Sequence, residues 1–116
     1  MNVDAGVLVG LVAVLHLYFL VLEMFLWTTP TGRRVFGLDA DFAERSKALA
    51  ANQGLYNGFL VAGLGWGLVA GDPAIRVFFL ACVVVAGVYG AATVNRRILI
   101  VQAVPAAVAL VAVALS

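Results

Sequence analysis

The sequence predicts an all-α integral membrane protein, a four-helix bundle of up-down topology. Three observations carry that expectation. First, 65% of the 116 residues are hydrophobic and only 11% are charged, with a mean hydropathy of +1.11. A soluble domain is about half apolar and about a quarter charged, so this chain has too few charges to coat a water-facing surface. Second, the apolar residues fall into four runs separated by short polar clusters. A helix needs about 20 such residues to cross a hydrocarbon layer of about 30 Å. Third, six of the seven basic side chains fall on one side of the layer when the four runs are threaded through it.

The first span is Ala5 to Trp27. Its start, MNVDAG, carries no Lys or Arg and no small-x-small cleavage site follows, so a retained helix is expected rather than a signal peptide. Trp27 and the run Thr28-Thr29-Pro30-Thr31-Gly32 mark its exit, an interfacial aromatic before helix-breaking residues. Arg33 to Asp41 reads as a loop. Asp39 or Asp41 caps the second helix, with Glu44 as the capping-box partner of Asp41. That helix covers about 42–70. Gly71-Asp72-Pro73 is a turn, and Pro73 suits a first helical turn. The third helix covers about 74–93, Asn95-Arg96-Arg97 is a polar corner, and the fourth covers about 98–115 with Pro105 inside it. With no linker or repeat, residues 1–116 read as one domain. Arg33, Arg34, Arg45, Lys47, Arg96 and Arg97 lie on one side and Arg76 on the other, which places both termini outside and the 1–2 and 3–4 connections in the cytoplasm.

Composition also excludes partners. A formal net charge of +1 offers no basic footprint for nucleic acid. A single cysteine, Cys82, rules out an internal disulfide and any cysteine metal cluster, and its apolar surroundings suit a small packing residue.

The polar residues inside the spans are placed by the 1.5 Å rise of a helix. With Trp27 at the cytoplasmic interface, Glu23 lies about 6 Å and His16 about 16 Å deeper. With Arg45 near the same interface, Asn52 lies about 10 Å and Tyr56 about 16 Å in. Gln102 lies about 8 Å below Arg97. The strongly polar side chains thus gather in the cytoplasmic half, as lining for a cleft open to that side. At 100° per residue, His16, Glu23 and Trp27 share one stripe of the first helix, and Arg45, Asn52, Tyr56 and Gly63 share one of the second. Gln53 and Asn57 run beside the latter. Gly54 and Gly58 lie opposite, at the small-xxx-small spacing that lets helices approach closely.

These residue types limit the chemistry. An unpaired carboxylate in a bilayer costs about 2.5–3.5 kcal/mol. Glu23 is therefore neutral or paired, with Arg45 or Lys47 as its expected partner. It acts either as a proton-accepting or ligand-orienting group or as half of a structural ion pair. His16 is a hydrogen-bonded structural histidine or a proton carrier; with no second histidine, bis-His haem within one chain is impossible. Asn52, Gln53, Tyr56 and Asn57 either join helices or hold a polar headgroup. The basic cluster, Arg96 included, signals topology, meets lipid headgroups, or holds an anion at the rim. No phosphate loop, Ser or Cys nucleophile with a base, or metal-ligand spacing is present.

His16-Leu17-Tyr18 with Glu23-Met24-Phe25-Leu26-Trp27, and then Asn52-Gln53-Gly54-Leu55-Tyr56-Asn57-Gly58-Phe59-Leu60, closely resemble the domain-of-unknown-function 1304 family of small bacterial membrane proteins. The resemblance spans nearly the whole chain and implies a compact four-helix, multi-pass inner-membrane protein. A looser resemblance is to the MAPEG superfamily, membrane-associated proteins in eicosanoid and glutathione metabolism. Glu44-Arg45 followed by Asn52, and Gln102 with Pro105, carry it. It implies homotrimers with a cytoplasm-facing site between subunits, and glutathione as a cofactor. Leu55 stands where catalytic members of that group carry an acid three residues after the asparagine.

Three functions are therefore weighed. The first is a homo-oligomer, a trimer by the MAPEG resemblance, that holds a small amphiphilic or anionic ligand through Glu23, Arg45, Asn52, Gln53, Tyr56, Asn57, His16, Arg96 and Gln102. The second is a glutathione- or thiol-dependent transferase or peroxidase, with the thiolate stabilised by Arg45 or Arg96. The third is a small transporter or channel subunit, against which the apolar outer half counts.

Overall fold

The computed structural model describes residues 3–93, 97 and 99–116. Among the described residues the protein is all helical, with no strand. It comprises α1 (Val3–Phe25), α2 (Pro30–Phe36), α3 (Ala40–Ala70), α4 (Pro73–Thr93), a π-helical turn (Leu99–Ala103) and α5 (Val104–Leu115). The chain falls into two compact units, one formed by Leu15–Val61 and the other by Met1–Val14 with Ala62–Ser116.

Two differences from the sequence expectation have local causes. The expected loop after the first span contains α2. Thr29 is its N-cap, with Oγ1 accepting from the Gly32 N–H at 3.3 Å, and Pro30 occupies the first turn, where its missing N–H costs nothing. Gly37 ends α2 at φ 66°, and the Leu38 N–H reaches back to the Arg33 carbonyl at 2.9 Å, a Schellman closure. The fourth expected helix contains a π turn over Leu99–Ala103. Pro105 has no N–H for the carbonyl four residues before it and its ring crowds that carbonyl, and the wider π turn occupies that stretch. The remaining boundaries follow their caps. Asp39 Oδ1 accepts the Phe42 N–H at 2.7 Å at the start of α3. Asp72 Oδ1 accepts the Ala74 N–H at 2.9 Å, with Pro73 at the start of α4.

In the unit holding residues 62–116, α4 packs along the π turn and α5. Leu80 and Val83 of α4 and Ala103, Ala106, Ala109 and Val113 are buried there. The approach is close at Gly87, where a Cβ would come within 2.8 Å of the Ala103 nitrogen. Arg76 is 4% exposed. Its Nη2 donates to the Leu68 carbonyl at 3.3 Å and its stem lies over Gly67, so it covers the last turn of α3. The lone outer-side arginine of the sequence count is thus a helix-capping side chain.

Among the described residues, two helices, Val3–Phe25 and Pro73–Thr93, are long and apolar enough to cross a membrane. On α1 the exposed large apolar side chains are Val3, Val7, Leu11, Val14, Leu17, Tyr18, Val21 and Phe25, three or four residues apart except for the adjacent pair Leu17 and Tyr18. Ala5, Val9, Val12, His16, Leu22 and Glu23 are buried. A water-soluble helix has the opposite arrangement, with its large apolar stripe inside. α5 repeats the pattern, with Val104, Val108, Val111 and Leu115 outside and Ala106, Ala109 and Val113 inside.

Candidate functional site

The polar residues singled out by the sequence lie mostly in the unit Leu15–Val61. Its frame is the last half of α1, α2 and the first two-thirds of α3. Trp27 lies just past α1, and its Nε1 donates to Ser46 Oγ on α3 at 3.0 Å. Ser46 in turn donates to the Phe42 carbonyl at 2.6 Å. The indole also packs on the Phe36 ring of α2, centroids 4.8 Å apart. One aromatic side chain therefore fastens α2 and α3 at the end of α1.

Deeper along the pair, α1 and α3 run against each other at Gly54. A Cβ there would meet Glu23 Cβ at 3.2 Å and the Leu20 carbonyl at 3.3 Å. Gly58 faces Leu20 Cδ1 in the same way at 3.0 Å. The small-xxx-small face of α3 is thus the face that takes α1. This approach brings Asn57 to Glu23, and Asn57 Nδ2 donates to Glu23 Oε1 at 2.5 Å. Both are buried, at 8% and 4% exposure. His16, seven residues before Glu23 on the same stripe, is fully buried, with its ring edge-on to Phe19 at 5.7 Å.

Glu23 therefore finds an amide where the sequence led us to expect Arg45 or Lys47. Arg45 pairs instead with Asp41 at 3.0 Å, and Lys47 with Glu44, both on exposed turns of α3. The reason is distance along the helix. Arg45 lies twelve positions before Asn57, about 18 Å at the helical rise. The expected depth of Glu23 was counted from Trp27, but α1 ends at Phe25, so helical rise does not carry through to the indole.

The other sequence candidates do not join this pair. Arg45, Asn52, Gln53 and Tyr56 are exposed, Tyr56 at 60%. Arg45, Asn52 and Tyr56 share a face with Leu49, which is 77% exposed. On the opposite face Ala43, Ala50, Gly54 and Asn57 are buried. Asn57 has thus gone to the packing face, while the amides before it project outward. Tyr56 meets only the edge of Phe59 among the ring contacts of the described residues, at 5.7 Å. Gln102 is half-buried in the π turn. Arg96 lies outside the described residues.

Sequence reading missed the role of α2. Pro30, Arg33, Arg34 and Leu38 line an open cavity of about 340 Å³. Arg33 Nε is buried and has no hydrogen-bond partner among the described residues. The signal was present, since Thr29-Pro30 and Gly37 are a complete start and stop for a short helix.

Comparison with known proteins gives kinship without chemistry. A family described as a protein of unknown function, DUF1304, matches residues 10–114. An "Uncharacterized protein YpaA" of Lactococcus lactis subsp. lactis (strain IL1403) is 31% identical over 105 residues, covering 87% of this chain and 88% of that protein. No solved structure matches.

Proposed function

We propose, from the premise that this chain belongs to the DUF1304 family, that it is a multi-pass inner-membrane protein that holds a small amphiphilic ligand in a cleft completed by further copies of itself. The observation that carries the proposal is the outward face of α3. Arg45, Asn52, Gln53 and Tyr56 are exposed on it, while the hydrogen-bonding groups of the opposite face are already buried. The 31 residues of α3 extend about 46 Å, against a hydrocarbon layer of about 30 Å. Counting back from Ala70, the apolar layer begins near residue 51. Asn52 and Gln53 then sit at its edge and Tyr56 one turn inside. Polar side chains at that depth need cover from protein, water or ligand.

The rest of the assembly follows from the same reading. The chain crosses four times as an up-down bundle, with Arg33, Arg34, Arg45, Lys47, Arg96 and Arg97 toward the cytoplasm and both termini outside. Arg76, folded over the end of α3, no longer counts against that orientation. Three copies are proposed because the spacing of Glu44-Arg45 and Asn52 resembles the trimeric MAPEG scaffold. Thiol chemistry does not follow from it. Arg45 is paired with Asp41, and Leu55 occupies the position of the acid.

The test uses the full chain in native-membrane particles. Mass spectrometry of the assembly gives its copy number, and solvent extraction gives whatever amphiphile it retains. Wild type is expected to be trimeric and to retain a ligand that Asn52→Leu and Tyr56→Phe lose. Cysteines introduced at 52 or 56 in a Cys82→Ser background are expected to cross-link between copies. A monomer, together with retained lipid that neither substitution alters, overturns the proposal.

A further inference from the structure

We infer that the α2 corner is a phosphate-binding site, with Arg33 as its central ligand and Arg34 as its second charge. This stands apart from the α3 face and uses none of its residues. Two observations meet at the same side chain. Arg33 lines the open cavity with Pro30, Arg34 and Leu38. Its Nε is buried without a partner among the described residues.

A guanidinium presents five N–H donors in a rigid fork matched to two oxygens of one phosphate. A buried donor left unmade costs free energy, and a small shift of the guanidinium toward a phosphate oxygen in the cavity would give it an acceptor. The backbone around it is fixed. Thr29 caps α2, Gly37 closes it, and the Arg33 carbonyl is taken up by the Leu38 N–H at 2.9 Å. The arginine therefore leaves a stable turn rather than a loose loop. Asp39, the acidic side chain next in sequence, has its Oδ1 engaged by the Phe42 N–H, where it serves α3. Arg34 is exposed and supplies the outer charge.

The walls settle the class of phosphate. Pro30 and Leu38 are apolar, so the cavity pairs two cations with hydrocarbon. At about 340 Å³ it falls at the lower end of small-molecule pockets. That combination suits a phosphate ester carrying an apolar or glyceryl arm. Its place in the chain, directly after an α1 sheathed in hydrocarbon and beside Trp27, is that of a membrane–water interface. Anionic headgroups are concentrated there, and clustered arginines attract them. The shared chemistry is a phosphate ester, whether an anionic phospholipid headgroup or a soluble phosphate.

The experiment compares the wild-type full chain with Arg33→Gln, Arg34→Gln and the control Lys47→Gln, an exposed cation paired with Glu44 and outside both sites. One arm measures phosphatidylglycerol retained by native mass spectrometry after reconstitution in phosphatidylcholine bilayers containing it. The second titrates inorganic phosphate against thermal unfolding in detergent. Loss of about ten- to hundredfold in affinity for Arg33→Gln, with a smaller loss for Arg34→Gln and none for Lys47→Gln, is the expected result. Loss in the lipid arm alone assigns a lipid headgroup, and loss in the phosphate arm assigns a soluble phosphate. Arg34 is exposed, so Arg34→Gln keeps the test valid even if Arg33→Gln unfolds. If the two substitutions reduce neither signal more than Lys47→Gln does, the site is refuted.

Discussion

Replacing Asn57 by leucine removes the donor that Glu23 Oε1 receives inside the α1–α3 contact. The substitution keeps the branched four-atom skeleton, but its methyl groups are bulkier than the amide, so overpacking adds to the loss of the hydrogen bond. Leaving a buried acceptor unmade costs about 1–3 kcal/mol. Hydrogen bonds between membrane helices average only about 0.6 kcal/mol by double-mutant cycle, with a maximum of about 1.7. The two figures measure different things. The first is the penalty on Glu23 when Asn57 alone is changed; the second is the coupling of the pair. Asn57→Leu is therefore expected to lose about 1–3 kcal/mol. The Glu23→Leu/Asn57→Leu double variant recovers part of that loss, because neither orphan remains. Glu23→Gln retains an oxygen at the Oε1 position and stays near wild type. Reversible unfolding of the full chain in mixed micelles of dodecyl maltoside and SDS gives all four stabilities. A coupling energy below about 0.3 kcal/mol, within the range of independent sites, would falsify the reasoning.

The remaining predictions use the same unfolding assay or amide exchange. Gly54→Val forces a side chain toward Glu23 Cβ, Met24 Cγ and the Leu20 carbonyl and is expected to cost about 1–3 kcal/mol; Gly10→Ala, with nothing within 4 Å of its Cβ, is expected to be neutral or to gain up to about 1 kcal/mol. Thr29→Ala removes the α2 cap and is expected to cost about 1 kcal/mol and to speed exchange of the Gly32 amide, whereas Thr29→Ser preserves both. Arg76→Leu uncovers the Leu68 carbonyl, so exchange in the last turn of α3 is expected to accelerate while a C-terminal topology reporter keeps its orientation; a reporter that inverts would show that Arg76 acts as a topology charge.

Local backbone signals were the most legible part of the sequence. Asp39 and Pro73 mark their helix starts because capping is decided within four residues. The Gly54/Gly58 face was legible for a similar reason, since helical periodicity fixes which residues lie opposite Asn52 and Tyr56. The partner of Glu23 was not. It depends on where α1 stops relative to α3, and no local residue pattern sets that register. Taking Trp27 as a depth marker shifted Glu23 toward the interface and made Arg45 look reachable. The α2 helix was hidden differently. Thr29, Pro30 and Gly32 were read as helix breakers, yet Thr and Pro also begin helices, and only the following Gly37 separates the two meanings.

The polar groups of the Leu15–Val61 unit differ in where their partners come from. Glu23 and Asn57 satisfy each other within one chain, and that pair holds the register in which Gly54 meets Leu20. Arg45, Lys47 and Asp39 are served by neighbours on their own helix turns. Asn52, Gln53 and Tyr56 are exposed side chains on the far face, and Arg33 has a buried donor left over. The surplus is therefore concentrated in two places, on the outward face of α3 and at α2. A helix needed only for packing has no use for outward amides in a segment whose other exposed side chains include Leu49, Leu55 and Phe59. The chain supplies its internal contacts from one face of α3 and keeps hydrogen-bonding capacity on the other. That division is the ground on which a ligand-facing surface is proposed for α3.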